Sequence, residues 1–332
     1  MKKHISLYLV LALILIVTSS SNCGGDDPKI KYEYGFFADS TINLYGLNSE
    51  YDDLNMALPQ ITMYLPVIFS SNRNSGGNDF DLVTGVFSYI FNQIDGSFEL
   101  YSEMLSSDFY DYLENAANTD GNDFGPSRIF NGLDGKEYFF CASESAEGDL
   151  DLRYMNYYPS GGNNPPTGVT MSDLSVLNTP ANEAYLTFDR EFSKVYYTTD
   201  RNGDYDIYEN PVEISTSFEA WLAGDYSDGT RTDSINSAAN DKCPYIFDNI
   251  MVFASDRPGG MGGYDLYMSV YANGKWSSAR NMGPDINTQY NEYRPLLSFA
   301  PGFTNDYILF SSDRPGGKGG YDLYLRGLDD LP

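Results

Sequence analysis

One phrase runs through this chain five times, and only a fold built from equivalent units can accommodate its copies. Near the C-terminus it is Phe310-Ser311-Ser312-Asp313-Arg314-Pro315-Gly316-Gly317, followed by Gly320-Tyr321-Asp322-Leu323-Tyr324. Upstream it is Phe253-Ala254-Ser255-Asp256-Arg257-Pro258-Gly259-Gly260, followed by Gly263-Tyr264-Asp265-Leu266-Tyr267. Looser copies are Tyr197-Thr198-Thr199-Asp200-Arg201 with Tyr205-Asp206-Ile207-Tyr208, Phe69-Ser70-Ser71-Asn72-Arg73 with Phe80-Asp81-Leu82, and Phe140-Cys141-Ala142-Ser143-Glu144 with Leu150-Asp151-Leu152. In the last of these, Glu144 aligns with the arginine. Two alternating apolar runs around a glycine-rich break predict a β-hairpin with a long turn. The second-run aspartates 81, 151, 206, 265 and 322 are spaced by 70, 55, 59 and 57 residues, longer than a hairpin and suited to a four-stranded propeller blade.

The rest of the unit lies between the last two hairpins. A second phrase precedes the inner strand there, and related forms occur at Asn48-Ser49 with Asp52-Asp53, Asn178-Thr179 with Asn182-Glu183, and Asn236-Ser237 with Asn240-Asp241. The first of these puts segment 34–45 where a unit's last strand belongs, while the C-terminal unit lacks that strand. The expected fold is therefore an all-β propeller over residues 34–332. It has five four-stranded blades, and the N-terminal strand closes the C-terminal blade and removes its open edges. A sixth blade within the 70-residue interval is the alternative.

The Ser-Asp-Arg, glycine turn and Asp-Leu/Ile-Tyr elements around Asp256 and Asp313 resemble the WD40-like repeat of TolB-type propellers. That resemblance implies a β-propeller of the bacterial envelope whose usual work is binding partners.

The N-terminus carries its own signal. Lys2 and Lys3 precede an apolar run over residues 5–17, then Ser19-Ser20-Ser21-Asn22 and Cys23. This pattern predicts a signal peptide over residues 1–22, with Cys23 as a lipidation site. The run is too short for a comfortable membrane span. Residues 23–33 then form a tether, and its acidic start, Gly24-Gly25-Asp26-Asp27, resembles the surface-export signal of Bacteroidota lipoproteins. The expected location is the outer membrane, held by the lipid anchor on either the cell surface or the periplasmic face.

The chain is acidic, with 20 Lys+Arg against 47 Asp+Glu, so the basic footprint that nucleic acid requires is missing. Its one histidine, His4, lies in the signal segment. Ser-His-Asp, Cys-His and His-ligated metal schemes therefore fall away, leaving carboxylate chemistry or none. Cys141 and Cys243 fall in different blades and are expected to be unpaired and buried.

Several residues invite a closer reading. Because they recur in every unit, Asp200, Arg201, Asp256, Arg257, Asp265, Asp313, Arg314 and Asp322 are expected to hold the blades, with Arg314 reaching Asp322 across its hairpin. Asp200, Asn202, Asp204 and Asp206 alternate oxygen ligands like the start of a calcium loop, although the closing glutamate is missing. Asn118, Asp120, Asn122 and Asp123 form a similar cluster inside an insertion at 106–125. That insertion carries Asp108, Phe109, Tyr110, Tyr112 and Glu114, alternating acids with rings, and it lies on the face of the glycine-rich turns, the expected binding surface. Trp221 and Tyr226 add rings in a second irregular region at 221–233. A third, at 157–169, is rich in Pro and Gly.

The expected function is a non-catalytic, lipid-anchored envelope propeller, with no cofactor assigned, that binds a protein or glycan through one rim. The alternative is a glycoside hydrolase, which requires two or three acids converging at the propeller axis.

Overall fold

The computed structural model describes residues 29–58, 65–158, 169–329 and 331. The signal segment, Cys23 and the Pro/Gly stretch at 159–168 lie outside the described residues. The chain forms a five-bladed propeller of four-stranded antiparallel blades. A short strand β1 (Ile42–Asn43) comes first, followed by blade 1 with β2 (Asp53–Ala57), β3 (Leu65–Ser71), β4 (Asp81–Phe91) and β5 (Phe98–Met104). Helix α1 (Asp108–Ala117) leads to blade 2, made of β6 (Asp123–Asn131), β7 (Lys136–Glu144), β8 (Leu150–Tyr157) and β9 (Ser172–Asp173). Blade 3 is β10 (Glu183–Phe188), β11 (Lys194–Thr199), β12 (Asp206–Pro211) and β13 (Thr230–Arg231), with helix α2 (Phe218–Leu222) before its outer strand. Blade 4 is β14 (Asp241–Phe247), β15 (Ile250–Ser255) and β16 (Asp265–Ala272), edged by β17 (Lys275–Trp276) and β18 (Arg280–Asn281). Blade 5 is β19 (Glu292–Ser298), β20 (Asp306–Ser312) and β21 (Asp322–Leu328).

The ring closes as the repeat predicts. Strand β1 pairs antiparallel with β21, with Ile42 opposite Leu325 and Asn43 opposite Tyr324. Five apolar clusters fill the gaps between neighbouring blades. Strand alternation feeds two of them at once, since Val67 and Phe69 pack toward blade 5 while Ile68 between them packs toward blade 2. The central strands therefore read as continuous apolar runs. Cys141 and Cys243 are unpaired and buried in separate clusters.

Polar side chains fix the connections between blades. The first asparagine of the second phrase turns back onto the third strand of the blade it leaves. Leu266 N–H donates to Asn287 Oδ1 at 2.8 Å, and Asn287 Nδ2 donates to the Leu266 carbonyl at 2.9 Å. Asn178 and Asn236 repeat this on Leu152 and Ile207, and Asn48 repeats it on Leu323 across the closure. Asn118 does the same on Leu82. The segment 118–123 is thus the fifth copy of the phrase, in the form Asn118-Thr119-x-x-Asn122-Asp123, and not a loop cluster of its own. The helix before it hides the copy from a spacing count.

Replacing Asn48 or Asn287 by alanine orphans a buried strand N–H, and each change is expected to lower unfolding free energy by about 1–3 kcal/mol. Urea denaturation of the two variants measures this, and equal losses would show that the closure is held no differently from an internal blade junction.

Candidate functional site

Each inner strand begins with a buried acid: Asp53, Asp123, Glu183, Asp241 and Glu292, all 0% exposed. A serine or threonine four residues earlier donates its backbone N–H to that acid, as Thr288 does to Glu292 at 2.8 Å and Thr119 to Asp123 at 2.7 Å. In four blades the repeat arginine completes the clamp. Arg314 Nη2 reaches Glu292 at 3.0 Å and the Ile286 carbonyl at 2.8 Å, while its Nε donates to Ser312. Arg73 meets Asp53, Arg257 meets Asp241, and Arg201 lies 3.6 Å from Glu183. This corrects the hairpin pairing expected from sequence. Asp322 instead accepts the turn N–H groups of Lys318 and Gly319 and the Asn43 amide, and Asp265 does the same with Met261, Gly262 and Asn281. Asp313 and Asp256 accept the backbone and side-chain N–H groups of Asn291 and Asn240.

Blade 2 departs from this rule. Glu144 accepts from Asn122 N and Nδ2, so it stands at the aspartate position, and Ser145 stands where the arginine belongs. The sequence alignment placed Glu144 one residue too far along. A cation returns from the third strand, where Arg153 Nη1 lies 3.5 Å from Ser143 Oγ and Nε lies 3.8 Å from Asp173. Asp123 Oδ1 is left without a partner, and burial raises its pKa. Asp151 is pushed up to about 6, first by burial and then by Asp149, Asp173, Glu183 and Glu147.

Three of the four residues proposed for calcium, Asp200, Asn202, Asp204 and Asp206, are otherwise engaged. Asp200 accepts from Asn182, Asp206 holds Arg231, and Asn202 donates to the Tyr208 hydroxyl. Among the described residues no group of three or more His, Cys, Asp or Glu side chains is placed to hold a metal. The rings of α1 turn inward. Phe109, Tyr110 and Tyr112 pack on the cluster between blades 1 and 2, the Tyr112 hydroxyl donates to the Val169 carbonyl at 2.6 Å, and Glu114 accepts from Thr84. Asp108 opens the helix as an acid in its first turn. Trp221 is buried against Phe218, while Tyr226 is exposed and hydrogen-bonds Arg201 and Asp228.

The axis carries what sequence reasoning missed. Two residues after its acid, every inner strand adopts a positive φ, at Asn55 (62°), Gly125 (58°), Tyr185 (58°), Cys243 (58°) and Arg294 (49°). The pairing register shifts at the same place in all five blades. Such a conformation costs on the order of 1–3 kcal/mol for each residue with a side chain. These bulges bring the five positions together. A Cβ on Gly125 would lie 2.6 Å from the Tyr185 ring, and Arg294 Cζ sits 5.5 Å from that ring's centroid. No carboxylate stands in this column.

At the glycine-turn end, rings close the axis through the pairs Phe80–Phe124, Tyr264–Tyr293 and Tyr293–Tyr321. A cavity of about 360 Å³ opens at the other end, on the face opposite the one sequence reasoning favoured. Arg294 and Arg128 line it deeply, with Ser127, Thr187, Ser298 and Tyr245, and Asp189, Arg190, Asp248 and Phe299 stand at its mouth. Arg190 pairs with Asp248 at 3.0 Å, and Asp189 accepts the Ser193 N–H at 2.7 Å.

No protein-family model matches the chain, and no curated protein matches it. Solved structures do. A thermostable family-43 glycoside hydrolase is 13% identical, with a TM-score of 0.55 over 83% of this chain and 88% of that one. An endo-arabinase from Bacteroides thetaiotaomicron is 13% identical, with a TM-score of 0.52 over 90% and 98%. The α-L-arabinofuranosidase of Podospora anserina, solved with cellotriose, is 12% identical, with a TM-score of 0.53 over 90% and 98%. These findings correct two expectations. The likeness is to the five-bladed propellers of glycoside hydrolases and not to TolB-type or WD40-like propellers. The similar structures are glycoside hydrolases by name, which favours the alternative, carbohydrate-active reading over the expected non-catalytic binder.

Asp151 yields a test with a definite sign. Its raised pKa means the fold favours the protonated form, so stability present below about pH 4 declines as pH rises through about 6. Asp151→Asn should melt higher than the parent at pH 7.5 and match it at pH 4, as followed by thermal denaturation at both pH values.

Proposed function

We propose that this protein is a carbohydrate-active enzyme, a glycoside hydrolase whose substrate enters the axial cavity. The observation that carries the reading is that cavity, a concave site at the convergence of five blades in a fold shared with glycoside hydrolases. Acid–base work falls to carboxylates, since the only histidine is His4. Among the described residues the carboxylates lining the cavity are Asp189 and Asp248, held on the β10–β11 and β14–β15 turns of adjacent blades. In this reading one of them protonates the departing glycosidic oxygen, while the other acts as base or nucleophile. Phe299, 60% exposed at the mouth, offers an apolar face for a sugar ring. Arabinans and galactans, the substrates that neighbouring structures' names carry, are the first polysaccharides to try.

The purified protein is expected to release reducing sugar from at least one of these glycans. Asp189→Asn combined with Asp248→Asn should lower kcat by roughly 10²–10⁴-fold with native circular dichroism retained. A parent protein inactive on the whole panel, or a double variant as active as the parent, would overturn the reading.

The N-terminal signal supports an enzyme displayed on the bacterial envelope by acyl chains on Cys23. Cys23→Ala should abolish incorporation of radiolabelled palmitate and release the protein from the membrane fraction.

A further inference from the structure

We propose that the floor of the axial cavity is an anion site that takes the carboxylate of an acidic sugar on the guanidinium group of Arg294. The sugar part rests on the hydrolase reading above, and the anion part does not.

The evidence is charge left without a partner. Arg294 is 2% exposed, and its Nη2 donates to the Pro126 carbonyl at 3.1 Å. Its Nε and Nη1 have no partner. Arg128, 9% exposed on the same cavity, differs in being paired with Glu137 through Nε and Nη2, so Arg294 is the cation without a counter-charge. The repeat arginines behave differently, each meeting a buried acid. Arg294 has no carboxylate within ion-pair distance among the described residues, and burial lowers its pKa. The titratable groups facing it are Cys243, Tyr185, Tyr293 and Tyr245. Burial raises all four, the Cys243 thiol to about 11 and the Tyr245 phenol to about 12, so none supplies a negative charge at neutral pH.

A buried guanidinium without a counter-charge is strongly destabilising, and water in the cavity can satisfy its hydrogen bonds but not its charge. A planar N–H fork matches a carboxylate with two parallel bonds. The cavity volume of about 360 Å³ falls in the range of small-molecule sites, and the hydroxyls of Ser127, Thr187 and Ser298 can engage sugar hydroxyls around the acid group.

Calorimetric titration of the intact protein with D-galacturonate, D-galactose and acetate tests the proposal. The expected result is galacturonate binding at least ten-fold more tightly than galactose, with acetate competing weakly. Arg294→Met, checked by circular dichroism, should weaken galacturonate at least ten-fold more than it weakens galactose and raise the Tm of the ligand-free protein. Should that variant fail to fold, the parent's preference for galacturonate over galactose still decides. No preference, or an Arg294→Met variant that binds galacturonate as before, would overturn the site, and acetate binding as tightly as galacturonate would remove its sugar part. Galacturonate binding with no glycan hydrolysed would keep the anion site and discard the hydrolase reading, while hydrolysis of a neutral glycan with no preference for galacturonate would do the reverse.

Discussion

The structure depends on a carboxylate buried at the head of every inner strand. An ionised group in that position is tolerable only when its lone pairs are filled. Here the filling groups come from the turn before the strand, from the second strand and from the repeat arginine. One side chain therefore holds three segments of its blade in register. The asparagine one residue earlier carries the restraint onward, because Asn291 accepts the Tyr264 N–H of the preceding blade and donates to Asp313 of its own. At the closure Asp52 does this for Tyr321.

This arrangement separates scaffold from site. Five of the numerous acids are used as clamps at the glycine-turn end, where tilted and edge-on ring pairs close the axis. The axial cavity lies toward the opposite end, beyond the bulges where the inner-strand side chain differs in each blade. The polarity of the axis is consequently the reverse of what a funnel of acids would give: its deep charges are arginines, and its carboxylates lie at the mouth.

Much of the fold was legible because repetition makes spacing informative. The five hairpin aspartates gave the blade count, and the second phrase at Asn48 gave the closure. The errors arose where one blade broke the pattern. Helix α1 masked the copy at Asn118, and the missing arginine of blade 2 shifted its alignment by one residue, which only the Asn122–Glu144 hydrogen bonds correct. Arg294 stood in view within the phrase Asn291-Glu292-Tyr293-Arg294. The signal that marks it is that the column two residues after each acid reads Asn, Gly, Tyr, Cys and Arg, a disagreement among copies that lies within the strands and not in the loops.

The sequence by itself determined the number of blades, their strand order and the ring closure, because these follow from local periodicity and repeat spacing. Tertiary structure alone decided which acid each arginine meets, which end of the axis is sealed, and that Arg294 and Arg128 share one cavity. The arginine clamps form within single blades and depend on strand register, whereas the cavity joins residues from different blades, 168 positions apart for Arg294 and Pro126, which only the closed ring brings within reach.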